Sequence, residues 1–469
     1  MSFCREFGSW YRRKRLFENV LGQYAASQLA EDIRAGLLAP AMLFSGPHFS
    51  GKGTAALELG RVISCEGDAS WNCSCPACKR QRFLIHPDLL CLGAKPFSAE
   101  IAASAGAFLR EAAASRDLGN LSSRILFIRS VRKLLARFSP AVWEDDPKLG
   151  KISPLVNSLE EDLDELNPPE GNLRPAEEAS SAADALSKLV EGILKKTIKL
   201  EAEGISETIP IAQIRKAIVW GRLAPSGRWK LLVIENADRT QEEARNSLLK
   251  LLEEPPGRLR IVLTSSRPGT LLPTMLSRLR PYRFGSRSAE TEAEVIRRVF
   301  KDTVREKGIG EYLDSFLPVR GDTLSALAAF FAASVAYKAA LLLKRQGSPI
   351  PEEVVLLGKS SAPRAEAAGF GRPGSASASV VKLVLEKAGG FAVRSLFSRF
   401  LAFLLEQASL GLRLAPASFL PSMAYNEVWK KNTAWAESAV AVYNLDPALA
   451  LEKLFLDLSR GMAGLCGNS

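Results

Sequence analysis

The residues best suited to chemistry in this chain are Gly46-Pro-His-Phe-Ser-Gly-Lys-Gly-Thr54. Glycine, four residues, then Gly-Lys is the spacing of a phosphate-binding loop. The glycines let backbone N–H groups turn toward phosphate oxygens, the lysine reaches the terminal phosphates, and the following helix adds its positive N-terminal end. Gly46, Ser50, Gly51, Lys52, Gly53 and Thr54 are therefore the expected nucleotide-binding residues, with ATP or ADP as the ligand. One position departs from the pattern. Gly53 follows Lys52 where a hydroxyl belongs, and Thr54 brings that hydroxyl one residue late. On a helix the delay turns the side chain by about 100°. Mg²⁺ coordination is left open while phosphate binding is expected to survive.

A second cluster follows. Cys65, Cys73, Cys75 and Cys78 have the spacing C-x7-C-x-C-x2-C. Four thiolates so close in sequence can close a tetrahedral Zn²⁺ site, and with every ligand supplied by protein that site is structural. The competing readings are reduced thiols without metal, and an iron–sulfur cluster that nothing else in the sequence supports. Seven cysteines in all, four of them within residues 65–78, argue against a disulfide framework. They fit a reducing compartment, so a cytoplasmic protein is expected.

The third feature is Leu231-Leu-Val-Ile-Glu-Asn-Ala-Asp238. In a phosphate-loop ATPase an acid at the end of such a strand helps hold Mg²⁺, and a neighbouring glutamate polarises the attacking water. Glu235 can serve as the acid, but Asn236 stands in the second place and cannot take a proton from water.

The elements that must position these residues are legible in outline. Leu38–Ser45, residues 229–235 and residues 259–266 are short apolar runs, and Thr54–Ile63 has helical apolar spacing. Strands alternating with helices predict a parallel sheet covered on both faces. Residues 97–205 read as an insertion, partly flexible and solvated, because 157–178 carries eight acids against one base together with Pro168, Pro169 and Pro175. After Phe284 the pattern is helical throughout, with a Gly/Ser/Ala/Pro-rich linker at 358–379 and helices at Val380–Ala388, Val393–Gln407 and Pro447–Leu458. Leu324–Tyr337 is apolar but too short to span a bilayer, so it reads as a buried helix and no membrane partner is expected. No apolar segment precedes Arg12-Arg13-Lys14-Arg15, so no secretory signal is expected. The net charge of +11 favours an anionic partner, with Arg12–Arg15, Arg129, Arg132, Lys133 and Arg137 as candidate phosphate contacts to nucleic acid.

Together these residues resemble the bacterial DNA polymerase III clamp-loader family of AAA+ proteins. The resemblance covers Phe17 to about Phe284 apart from the insertion, and more loosely the helical C-terminus. It rests on Phe17-Glu-Asn-Val-Leu-Gly-Gln23, Leu43-Phe-Ser-Gly-Pro47, the cysteine cluster and His86-Pro-Asp88. It rests further on the helix from Asn246 to Pro256 and on Leu276-Ser-Arg278. The Glu235-Asn236 pair, where motor subunits carry Asp-Glu, makes the chain look most like the delta-prime subunit. The resemblance implies an α/β AAA+ domain over 1–284, with a zinc module at 65–78, followed by a helical lid at 285–357. The linker at 358–379 then leads to an all-helical collar at 380–469. It implies that Arg278 is an arginine finger acting in trans on a neighbour's ATP, with Glu235 as part of this chain's own nucleotide site. Gamma/tau and delta subunits would be the partners, the sliding clamp would be reached through the complex, and primed DNA would lie close by. A motor-type clamp-loader ATPase is the alternative, so whether the isolated chain is an enzyme stays open. Gly-Lys-Gly-Thr also resembles the loop of adenylate kinases, but chain length and the cysteine cluster speak against that reading.

Overall fold

Two compact units divide the computed structural model, Met1–Phe316 and Leu317–Ser469. The structure describes residues 16–464 apart from 115–120, 168–178, 207, 304–307, 392–393, 414–418, 442 and 444. In the first unit the apolar runs become β1 (Ala41–Ser45), β2 (Leu89–Gly93), β3 (Lys230–Glu235), β4 (Leu259–Ser265) and β5 (Arg280–Arg283). They form one parallel sheet in the order β2-β3-β4-β1-β5. β1 and β3 are buried along their whole length, as a parallel sheet covered on both faces requires.

Successive side chains point to opposite faces, so each strand feeds two cores. Met42, Phe44, Leu231, Val233 and Val262 belong to one core, shared with α1 (Tyr24–Arg34) and α2 (Lys52–Ser64). The short α3 (Pro76–Arg82) packs on α2. Ala41, Leu43, Leu232, Ile234, Ile261 and Leu263 point into the other core. That second core is filled by α4 (Ser98–Ala114), α5 (Ser122–Leu135), α6 (Pro140–Trp143) and α7 (Leu149–Leu166), and by α8 (Ala179–Gly204), α9 (Ile211–Arg222) and α10 (Glu242–Glu253).

The expectation of a solvated insertion over 97–205 therefore needs correction. Phe108, Val131, Leu159, Leu163, Val190 and Ile193 are buried in the same core as the sheet. In α7 the buried positions Ile152, Leu159, Leu163 and Leu166 line one side, whereas Glu161, Asp164 and Glu165 are exposed. Counting acids describes only the outer face of an amphipathic helix; the apolar spacing describes the inner one. The prolines at 168, 169 and 175 lie outside the described residues.

α11 (Pro273–Leu276) precedes β5, and α12 (Ala289–Val299) and α13 (Ile309–Asp314) follow it. Ile296, Phe300, Ile309 and Tyr312 cluster with Ala103 and Ala107 of α4. The first part of the span expected as a lid thus packs on the sheet unit, and the division of the chain falls after Phe316.

The second unit contains α14 (Gly321–Arg345), α15 (Glu352–Ala367), α16 (Ser377–Lys387), α17 (Arg394–Arg413), α18 (Phe419–Ala441) and α19 (Pro447–Gly464). Phe331 of α14 meets Phe400 and Phe455 edge to face, with centroids 5.8 and 5.6 Å apart. Trp429 is fully buried beside them. α14 runs 25 residues and is long and apolar enough to cross a membrane, unlike the shorter segment read from sequence, yet 72% of its apolar window is buried. It is the core helix of this unit. The linker expected at 358–379 is also corrected: α15 continues to Ala367 through Pro363, and only 368–376 separates it from α16.

Leu159→Ala tests whether 149–166 is core. Removing this fully buried side chain should cost about 2–5 kcal/mol in denaturant unfolding. A loss below about 0.5 kcal/mol, the level of an exposed site, would mean that α7 does not pack as described.

Candidate functional site

A parallel sheet brings the ends of β1, β3 and β4 to one edge, where ligands of such sheets bind. The loop from Gly46 to Gly51 leaves β1 there. Its first amide, Gly46 N, donates to the carbonyl of Ser265 at the end of β4 (3.1 Å). Gly46 has φ 150°, and a Cβ there would collide with the carbonyl oxygen of Phe284. Gly51 has φ 93°, the left-handed region that side chains avoid, and lies against the guanidinium of Arg287. Ser50 Oγ donates to the carbonyl of Pro47 (2.8 Å).

Lys52 is buried at the first turn of α2. Its Nζ donates to the carbonyl of Gly46 (2.7 Å), to that of Pro47, and to Ser50 Oγ (3.3 Å). Burial, and then the neighbouring charge of Lys95, pull its pKa down to about 8, against the opposing pull of Asp238 and Glu235. Thr54 is half-buried two positions along α2.

Glu235 ends β3 in a closed position. Arg137, from the short 3-10 turn Ala136–Phe138, forms an ion pair with its carboxylate, and the two side chains are 6% and 11% exposed. Arg137 also donates to the carbonyl of Leu92 (2.7 Å). Burial alone would push the Glu235 carboxyl up, but Arg137, Lys95 and Lys133 together hold it below its ordinary value. A Cβ on Gly53 would overlap Oε1 of this carboxylate, so the missing hydroxyl and the placement of Glu235 are one fact. Asn236 adopts φ 53°, its amide donating to Thr264 Oγ1 (3.1 Å) and its side chain to the carbonyl of Ala94 (3.3 Å). Asp238 accepts from Ser265 Oγ (2.8 Å) and pairs with Arg267.

The cations read as contacts for nucleic acid are turned inward. Arg129 donates to the carbonyls of Gln81 and Arg82, Arg132 pairs with Glu160 and Asp164, and Lys133 pairs with Glu100. Each compensates an acid or a carbonyl on a neighbouring element, which is the usual condition for burying charge. The run 12–15 lies outside the described residues.

The four cysteines converge at the other end of α2. The ligand atoms of Cys65, Cys73, Cys75 and Cys78 all lie within 4.8 Å of one another. Cys65 Sγ is 3.6 Å from Cys73 Sγ and 3.8 Å from Cys75 Sγ. Zinc–sulfur bonds of about 2.3 Å in a tetrahedron give sulfur–sulfur edges of about 3.8 Å, so the set fits a zinc ion. The hydrogen bond from Cys78, with the amides of Gly67 and Ala69, holds the Cys65 thiol below its ordinary value against the effect of burial, and the same bond raises the Cys78 thiol. Thiolate is the form a metal takes. Arg61 of α2, buried and paired with Glu58, donates to Cys78 Sγ (3.3 Å) and to the carbonyls of Ser70 (2.8 Å) and Ala69 (2.9 Å). A guanidinium there offsets the negative charge of four thiolates.

Arg278 stands apart, after α11. Its side chain is 34% exposed, pairs with Glu253 (2.8 Å) at the end of α10, and donates to the carbonyl of Thr274 (2.6 Å). The segments quoted around the sheet have structural duties. Gln23 exchanges two hydrogen bonds of 3.0 Å with the backbone of Gly285, and Asp88 accepts from the amides of Ser226 (2.8 Å) and Gly227 (2.7 Å) before β3.

The role of Arg137 is the feature that sequence reasoning missed. It lies 98 residues from Glu235, and the one available signal was an arginine set among Leu134, Leu135 and Phe138.

A family model described as "DNA polymerase III, delta subunit" matches residues 22–139 and 175–288. The matched segments include the loop, the cysteine cluster and Arg278, and they omit 140–174 within the interval read as an insertion. The DNA polymerase III subunit delta′ of Pseudomonas aeruginosa is 34% identical over 101 residues, 21% of this chain and 31% of that protein. The chain thus spans about a third of the length of that curated relative. A crystal structure of a DNA polymerase III gamma subunit-related protein from Thermotoga maritima aligns over 55% of this chain and 81% of its own, at 18% identity and a TM-score of 0.26. The chain belongs to the DNA polymerase III clamp-loader AAA+ family.

Two measurements follow from this geometry. Purified chain should carry one zinc per molecule by elemental analysis, and Cys78→Ser should lose it; equal zinc in both would exclude the cluster. A lysine binds phosphate in its charged form, which Lys52 loses as pH rises through about 8. Affinity for ATP should therefore fall by up to about tenfold per pH unit above that point. Affinity that stays flat there would exclude Lys52 from phosphate binding.

Proposed function

We propose that this chain is a delta-prime-like subunit of the DNA polymerase III clamp loader, which supports ATP-dependent loading of the sliding clamp on primed DNA without hydrolysing ATP itself. The observation that carries the reading is the state of the acidic strand end. Glu235 is neutralised by Arg137, and the next residue is Asn236, so neither position at this strand end offers an unpaired carboxylate to activate water. Membership of the family implies other clamp-loader subunits as partners.

In this reading the sheet unit is an AAA+ module. Its loop, Gly46 to Thr54, holds ATP or ADP as a fixed ligand, and zinc on the four cysteines stiffens the far end of α2. The helices after Phe284 supply a lid and then a collar that joins gamma/tau and delta neighbours in the cytoplasm. Arg278 is the residue that acts. Its exposure at the end of a short helix supports a role toward a neighbour, because a guanidinium aimed at a bound triphosphate must project from the surface of its own subunit. Such a cation stabilises charge spread over the transferring phosphoryl group and contributes about 10³–10⁵ in rate in related systems.

Arg278→Ala in the reconstituted complex should lower clamp-stimulated ATP hydrolysis by at least about tenfold, with ATP binding to this chain unchanged. Undiminished hydrolysis would remove Arg278 from the chemistry. Lys52→Ala in the same complex should leave most loading activity intact. Its collapse would make this chain a motor.

A further inference from the structure

Mg²⁺ in a phosphate-loop site is held by the hydroxyl after the lysine and by the acid at the end of the neighbouring strand, alongside the nucleotide's phosphates. Here the hydroxyl is missing and the acid is already paired. Gly53 has no hydroxyl, and a Cβ there would overlap Oε1 of Glu235, so a serine or threonine would displace the carboxylate. The other carboxylate oxygen, Oε2, takes Nη2 of Arg137.

Arg137 is fixed in that place from several sides. Nη1 donates to the carbonyl of Leu92 (2.7 Å), and the guanidinium lies 5.3 Å from the ring centre of Phe97. The indole of Trp143 donates to the carbonyl of Arg137 (2.7 Å), locking the turn that carries it. Its Nε–H is buried without an acceptor among the described residues. Mg²⁺ needs octahedral oxygen ligands at about 2.0–2.1 Å, and at Glu235 it would have to share a carboxylate whose charge a buried arginine on Oε2 already compensates, with no hydroxyl at residue 53 to complete the set. The residues present do not fit the metal.

We propose that Arg137 is the resident cation of this site: it occupies the carboxylate that would hold Mg²⁺, and the loop binds a nucleoside triphosphate as its metal-free anion. The proposal rests on the reading of Gly46 to Thr54 as a nucleotide site given above. Lys52 meets the phosphates, and Arg137 and Lys95 supply the remaining positive charge at the strand ends, both acting on Glu235 and Lys95 on Lys52 as well. The glycine at residue 53 and the arginine at residue 137 then serve one arrangement. An internal cation has replaced an exchangeable one, and a site built this way retains nucleotide without the ion that hydrolysis requires.

The test is ATP binding by the full chain, measured by calorimetry with excess Mg²⁺ and in buffer stripped of divalent ions by a chelating resin, which spares a metal held by the cysteines. ATP turnover is scored in the same samples. The wild-type dissociation constants should agree within about twofold, because the ion gains no protein ligand that Arg137 does not already share. Arg137→Gln should bind at least about tenfold more weakly without Mg²⁺ and recover when it is added, since the freed carboxylate repels phosphate and accepts the ion. Should that variant fail to fold, the wild-type comparison decides alone. Wild-type binding that weakens about tenfold without Mg²⁺, with no turnover, overturns the proposal and leaves the non-hydrolysing role standing. Mg²⁺-dependent turnover overturns both. Absence of binding in either buffer overturns the resident-cation proposal and leaves the role of Arg278 untouched.

Discussion

Glu235 is a carboxylate sealed at the end of the inner strand β3, and such a group persists in a folded protein only with a permanent partner. Arg137 meets that need, and much of the first unit is arranged so that it can. The 3-10 turn after α5 must approach the ends of β2 and β3, which fixes where α5 and α6 lie. Residue 53 must be glycine to leave the carboxylate room. A further acid, Glu100, sits beside Lys133 and Lys95, which hold its carboxyl at about 2 against the effect of burial. Removing one member of a buried pair typically costs about 3–5 kcal/mol, so this constellation resists piecemeal change.

The same helix, α2, connects the two sites. Lys52 opens it beside the loop, and Arg61 near its far end reaches a cysteine thiol and two loop carbonyls of the 65–78 module. Thirteen residues of α-helix span about 20 Å, so a rigid rod joins the strand-end chemistry to the cysteine cluster. A metal held by four thiolates would fix the outer end of that rod and, through it, the orientation of the phosphate-facing amides.

How much was legible in the sequence depended on whether the signal was local. The loop, the strands around it, the cysteine cluster and the helix read from Asn246 to Pro256, which runs Glu242–Glu253, all declare themselves within about fifteen residues, through spacing that backbone geometry dictates. What failed was non-local. The acids of α7 were read as a solvated tract because their count outweighed the four buried positions on the opposite side of the same helix. Pro363 and the small residues around it suggested a linker where α15 continues. Arg129, Arg132, Lys133 and Arg137 read as a basic surface because nothing nearby in sequence shows that acids and carbonyls on other elements take their charge. The departure at Gly53 was visible, but its reason was not, since the atom it makes room for belongs to Glu235, far along the chain.

The account turns on an acidic strand end that is closed to metal and lacks a base. Steady-state ATP hydrolysis by the purified chain alone, with Mg²⁺ and primed DNA present, tests it most directly. The account predicts turnover indistinguishable from that of the same preparation carrying Lys52→Ala. Hydrolysis of several ATP per second that disappears with Lys52→Ala would contradict it.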